Sequence, residues 1–160
     1  MAQAANIIVR RGRADDAAAL KAILYDTFES TWRPELTPEA VAAYNVDDPP
    51  TSFVDQYAVD FQVAERDGEV VGLVYWENDF VHSLHVRSDH ARMGVGARLM
   101  DVAEAEIAKA GHAAVRLETD TFNARSQAFY RARGYREVDR YPDTEWNSGL
   151  TTLLLEKRLR

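Results

Sequence analysis

At 160 residues and 18.0 kDa the chain has the size of one ordinary globular domain, and residues 1–160 are expected to form a single one. Its 46% hydrophobic and 10% aromatic content supplies a core and excludes intrinsic disorder. The net charge of −7, from 26 acids and 19 bases, argues against nucleic acid as partner, and the lack of cysteine excludes a disulfide scaffold, a thiolate metal site and covalent thiol chemistry. No run approaches the roughly 18 apolar residues of a membrane span, and Met1–Asn6 lacks the basic start and apolar stretch of a signal peptide. A cytoplasmic enzyme or binding domain, off the membrane, is the expectation.

In chain order, Asn6–Arg10 reads as a strand. Asp15 and Asp16 stand where an N-cap and first turn belong, and Leu20, Ile23, Leu24, Thr27, Phe28 and Thr31 follow at helical spacing. Pro34 interrupts that helix, and Pro38-Glu39 starts a second, short one through Tyr44. Asp47–Ser52 reads as a loop by composition. Phe61–Ala64 and Val70–Trp76 flank Asp67-Gly68, a hairpin signal, and Val81–Val86 is a further strand. A helix over about Gly94–Ala110 carries Val95, Leu99, Val102, Ala103 and Ile107 on one side and stops at Gly111. Strand Val115–Glu118, helix Ser126–Arg133 ended by Gly134, strand Arg136–Asp139 and strand Thr151–Glu156 complete the chain. This order predicts an α+β domain with a mixed sheet covered by helices.

Charge is unevenly placed. Asp26 to Asp60 holds eight acids (Asp26, Glu29, Glu35, Glu39, Asp47, Asp48, Asp55, Asp60) against Arg33 alone, whereas Val81 to Arg136 holds nine Lys or Arg against six acids. One half suits a cation and the other an anion; solvated helix faces would account for the same bias. The four histidines (His82, His85, His90, His112) lack ligand spacing with a third partner, so no metal is expected.

Two segments carry chemistry. In Leu84–Leu99 a strand ends, a loop follows, and Gly94 and Gly96 open a helix whose first N–H groups point outward unpaired. With the helix dipole they form a site for a pyrophosphate, with Arg92 and Arg98 at its rim. The spacing is neither a P-loop nor a full G-x-G-x-x-G fingerprint, because Leu99 fills the third position. In Asn123–Tyr135, Asn123 suits an N-cap and Tyr130 lies two helical turns along from it.

Together, in this order and about 30 residues apart, the two segments resemble the GCN5-related N-acetyltransferase superfamily. Ala91–Gly96 is similar to its Arg/Gln-x-x-Gly-x-Gly/Ala loop: both glycines match, while Ala91 and Arg92 depart from the usual Arg or Gln and Gly. Asn123, Ser126, Phe129, Tyr130, Gly134 and Tyr135 satisfy N-x-x-[AS]-x-x-F-Y-x-x-x-G-[FY].

The resemblance implies a mostly antiparallel mixed sheet, splayed at its centre and covered by helices on both faces, with acetyl-CoA in the splay. Its pantetheine would run along the backbone of Leu84, His85 and Val86, and its pyrophosphate would rest on the amides of Arg92, Met93, Gly94, Val95, Gly96 and Ala97. Asn123 would contact the cofactor arm, and Tyr130 would protonate the leaving thiolate. The Val86 N–H would polarise the thioester. His82 is the first choice of base, from its parity with Leu84 and Val86 and a histidine at that place in some arylalkylamine-acetylating relatives. Glu77, Asp79, Glu118 and Asp120 are its alternatives, as a water relay. Glu29, Trp32 and Arg33, with Thr31 and Tyr44, would face the acceptor, a small cationic amine. A peptide N-terminus, a non-catalytic acetyl-CoA-binding module and a homodimer remain compatible with the same residues.

Overall fold

The computed structural model describes residues 6–143 and 149–159. A seven-stranded sheet runs through the molecule in the order β1-β2-β3-β4-β5-β7-β6. Its strands are β1 (Ile7–Arg11), β2 (Gln62–Arg66), β3 (Glu69–Glu77), β4 (Phe80–Val86), β5 (Ala114–Asp120), β6 (Arg136–Pro142) and β7 (Thr151–Arg158). Every neighbouring pair is antiparallel except β4 with β5. The helices are α1 (Ala17–Thr27), α2 (Pro38–Asp47), α3 (Pro49–Tyr57), α4 (Val95–Lys109) and α5 (Ala124–Ala132).

Strand alternation sorts the apolar residues into a core on each sheet face. On one side Val71, Val74, Val81, Val115 and Leu117 meet Val95, Leu99, Ala103 and Ile107 of α4 and Tyr130 of α5. On the other, Val63, Leu73 and Tyr75 meet Leu20, Ile23 and Leu24 of α1 and Val54 of α3. The close seat of α4 depends on Gly72 of β3, where a Cβ would lie 2.9 Å from Val95 Cγ1 and 3.1 Å from Leu99 Cδ1.

The expected elements hold with three differences. Asp47–Ser52 is not a loop: Pro49 and Pro50 occupy the first turn of α3, where proline's missing N–H has no intrahelical partner to lose. The first helix ends at Thr27 and passes into a π-turn over Phe28–Trp32 and a 3-10 turn over Arg33–Glu35. At the start of that helix, Asp16 accepts the Arg13 N–H (2.8 Å) and chelates the Arg10 guanidinium through both oxygens (2.9 Å each). The charged hydrogen bonds from Arg10 hold the Asp16 carboxyl below its ordinary pKa. Helix α2 buries no residue, and its Tyr44 stacks on Phe28 at 3.5 Å between ring centroids.

The third difference lies in β4. Trp76 pairs with Val81 and Tyr75 with Ser83, so His82 is the extra residue of a bulge. A bulge reverses side-chain parity along a strand. His82 therefore does not share the face of Leu84 and Val86; it is exposed, beside Tyr75 (5.7 Å) and Phe80 (4.8 Å).

Candidate active site

The loop ahead of α4 is fixed from below by α1. The Asp26 carboxylate accepts both the Ser88 N–H (2.8 Å) and the Ser88 hydroxyl (2.9 Å), which holds the 3-10 turn Ser88–His90. Ala91 is extended, and Arg92 (φ 63°) and Gly94 (φ 86°) then turn the chain through the left-handed region into the helix. Gly94 is the N-cap, and it offers no side chain to satisfy the first turn. The first backbone bond of the helix runs from Arg98 N–H to Gly94 O (3.1 Å), leaving the amides of Val95, Gly96 and Ala97 without an intrahelical acceptor. Nothing lies within 4 Å of a Cβ built on Gly94, so the space above these amides is open. A Cβ on Gly96 would make only ordinary contact with Phe129 (3.5 Å) and Val86 (3.7 Å). Arg92 and Arg98 are exposed, as is Met93, whose sulfur takes a contact from the Arg66 guanidinium. Three aligned amides at a positive helix end suit a polyphosphate.

Beside this loop the sheet opens. Strands β4 and β5 pair only at Phe80–Arg116 and Val81–Leu117 and then part. The Arg87 N–H donates to Val71 O (2.8 Å) in register with β3. By antiparallel alternation Ser83 and His85 also bond to β3, while the N–H and C=O groups of Leu84 and Val86 face the opening. The expectation of a free backbone over all three residues is corrected here: His85 presents its main chain to β3 and its side chain to the α1 face.

Helix α5 approaches the opening from the other core. Asn123 Oδ1 accepts the Ser126 N–H (3.1 Å) as N-cap, which commits its carbonyl oxygen and leaves the amide nitrogen. Ser126 Oγ also meets Thr119 Oγ1 of β5 at 2.8 Å. Tyr130 is buried between Phe129 (5.1 Å) and Tyr135 (5.5 Å). Burial pushes its phenol above the usual value, so it stays protonated at neutral pH.

On the α1 face the candidate acceptor residues separate. Arg33 Nη1 donates to both oxygens of Glu29 (2.7 and 3.0 Å), so these two exposed groups neutralise each other on the π-turn. Trp32 instead crosses to the sheet, its Nε1–H donating to Asp120 Oδ2 at the end of β5 (2.8 Å). Burial raises the Asp120 carboxyl above its ordinary pKa, against the pull of that hydrogen bond, and neighbouring Asp143 and Glu118 add to the rise. The His85 ring lies 5.8 Å from Trp32 and its Nδ1 is 2.9 Å from Thr27 Oγ1. Desolvation takes the His85 pKa down to about 4, so the ring is neutral at pH 7. Glu77 is engaged by Tyr75 (2.9 Å), Asp79 by Arg116 (3.3 Å) and Glu118 by the Tyr141 hydroxyl. No cluster of three metal-ligating side chains occurs among the described residues, and no helix there is long and apolar enough to cross a membrane.

Sequence reasoning did not find the Gly72 seat, the Thr27–His85 pair or the Trp32–Asp120 bond. A glycine inside an apolar strand is the one local signal for the first. The two pairs join residues 58 and 88 positions apart, and no spacing rule reaches that far.

The sheet that parts between two parallel strands, with a glycine-opened helix at the gap and a buried tyrosine beside it, defines a class. The sequence profile of the acetyltransferase (GNAT) family matches residues 17–135. The chain therefore belongs to that family. Among solved structures it is similar to a GCN5-related N-acetyltransferase from Rhodopseudomonas palustris (22% identity, 95% of each chain, TM-score 0.77). It is also similar to the PaiA N-acetyltransferase of Thermoplasma acidophilum in complex with coenzyme A (18% identity, 95% of this chain and 98% of that one, TM-score 0.75). A ribosomal-protein-alanine N-acetyltransferase from Brucella melitensis is a third (23% identity, 95% and 99%, TM-score 0.68). No curated protein matches the sequence significantly.

Proposed function

We propose that the chain acts as a single N-acetyltransferase domain that passes acetyl from acetyl-CoA directly to the primary amine of a small cationic molecule. Family membership makes acetyl-CoA the donor. The observation that carries the reading is the continuity of unpaired main-chain groups from Leu84 and Val86, in the opening, to Val95, Gly96 and Ala97, at the helix end. The pantetheine arm would add along Leu84 and Val86 as an extra strand, and the pyrophosphate would take the helix amides. That the Thermoplasma protein of the same fold is in complex with coenzyme A supports this class of ligand.

The chemistry follows from what these groups can do. The Val86 N–H in the gap would donate to the thioester oxygen as it gains charge. Tyr130, kept protonated by burial, would supply the leaving sulfur with a proton. With no cysteine in the chain there is no thiol to carry an acyl-enzyme, so direct transfer is the simplest route. The half-buried Asp120 carboxylate beside the Trp32 indole is a place for an ammonium group, through charge and ring contact together.

A thermal-shift titration tests the donor. At about 100 times its Kd a ligand stabilises by roughly 2.7 kcal/mol, which for a chain of this size raises Tm by about 5–11 °C. Acetyl-CoA and CoA should give that shift and ATP should not; no shift at millimolar acetyl-CoA would remove the reading. Thiol release with spermidine, and with a peptide of free alanine N-terminus, then separates a small-amine acceptor from a peptide one.

A further inference from the structure

His85 is the histidine that β4 turns toward Thr27 and Trp32. Its ring lies on the α1 face of the sheet, past the last β4–β5 pair at Val81–Leu117, under Thr27 and beside Trp32. Thr27 Oγ1 has one hydrogen and two acceptors within reach, the Leu24 carbonyl (3.2 Å), which can only accept, and His85 Nδ1 (2.9 Å). With that hydrogen on Leu24, the same oxygen acts as acceptor toward His85, and Nδ1 carries the ring hydrogen. The opposite nitrogen, Nε2, is left with its lone pair. Nε2 makes no hydrogen bond among the described residues. A buried hydroxyl thus faces one ring nitrogen and leaves the other without a partner among the described residues.

We propose that His85 Nε2 is the proton acceptor for the attacking amine, with Thr27 as the positioning residue that fixes its tautomer. The proposal rests on the acetyltransfer reading above and replaces His82, which shares the α1 face but stands exposed beside Tyr75 and Phe80, with His85, which is half-buried under Thr27. In the step, the amine lone pair forms the N–C bond at the thioester carbon while the C=O pair moves onto oxygen. One N–H proton passes to Nε2. Collapse of the oxyanion breaks the C–S bond, and the departing sulfur takes the Tyr130 proton. His85 then gives its proton to water and Tyr130 regains one, so the balance closes without another reactant. Burial keeps the ring neutral at pH 7, so it starts each turnover with a proton to take and none to lose first.

The test is His85→Asn, which keeps a donor for Thr27 and removes the proton acceptor. Acetyl-CoA Kd, amine-independent thiol release and thiol release with spermidine and with the alanyl peptide are measured on both chains. The expected result is a loss of about 100-fold in kcat/KM for the amine with acetyl-CoA affinity unchanged. Full turnover in His85→Asn overturns the proposal, and so does a loss of that size in His82→Asn instead. A wild-type chain that binds no acetyl-CoA and turns over neither amine overturns the acetyltransfer reading, and the proposal with it. Should His85→Asn fail to fold, ring ¹⁵N spectra of the wild-type chain decide. His85 should show a protonated Nδ1, an unprotonated Nε2 and no titration between about pH 5 and 8. An Nε2–H ring, or one that titrates in that range, overturns the proposal.

Discussion

Between Leu84 and Ala97 the proposed donor side is made from main chain: two strand residues turned toward a gap and three amides at a helix end. The proposed acceptor side is made from side chains brought together from α1, the π-turn, β4 and β5: Thr27, Trp32, His85 and Asp120. The difference follows from what each side would hold. A pyrophosphate and a pantetheine amide offer repeated charge and backbone-like groups, which a strand edge and a helix N-terminus match whatever the side chains are. An amine differs from its competitors only in what surrounds the nitrogen, and fixed side chains read that. Substitutions on one side should therefore leave the other nearly untouched, and each prediction below is a way to break that separation.

The largest effect is expected at Tyr130, which stands at the junction. Tyr130→Phe keeps the ring against Phe129 and Tyr135 and removes only the hydroxyl. In a thiol-release assay kcat should fall about 100-fold or more, with acetyl-CoA Kd within a factor of two. Unchanged turnover would take Tyr130 out of the mechanism.

Gly94→Val is the donor-side counterpart, with a smaller effect of a different kind. The protein leaves open space at this Cβ, so no protein clash is involved; the cost comes from a β-branched residue at φ 86° and from the volume the donor would occupy. Acetyl-CoA Kd should rise at least about 10-fold by titration calorimetry, while kcat at saturating donor stays near wild type. A wild-type Kd would mean that the pyrophosphate does not rest at this helix end.

The same division governs what could be read from the sequence. Gly94, Gly96, the Asp67-Gly68 hairpin and the Asn123 cap are local devices, and each stands where its own residues put it: Asp67 at φ 53° and Gly68 at φ 84°, Asn123 on the Ser126 amide. Composition misled over Pro49-Pro50, because two prolines signal a loop and a first helical turn equally well. Parity misled over His82. Strand alternation assumes an unbroken ladder, and the bulge beside Trp76 shifts it by one residue, a feature that belongs to the β3–β4 pairing and not to β4 alone. Trp32 could be read as an aromatic among acids, but its partner Asp120 lies 88 positions away and is fixed only by how the π-turn meets the end of β5.

That pair gives the smallest effect and the sharpest test. Trp32→Phe keeps an aromatic ring near His85 and deletes the N–H that holds Asp120 Oδ2 at 2.8 Å. Asp120 then loses its one hydrogen-bonded anchor from the π-turn, and a carboxylate already disfavoured by burial becomes harder to keep charged and aimed. Hydrogen bonds to charged groups contribute about 1.5–3 kcal/mol, of which water entering the gap should restore a part. The KM for a cationic amine should then rise about 5- to 10-fold, with kcat and acetyl-CoA Kd within a factor of two. A neutral hydroxyl acceptor of similar shape should show no such change, because it has no charge for Asp120 to receive. If donor affinity fell in step with the amine KM, the two sides would be one coupled unit, and the separation drawn from their different construction would be wrong.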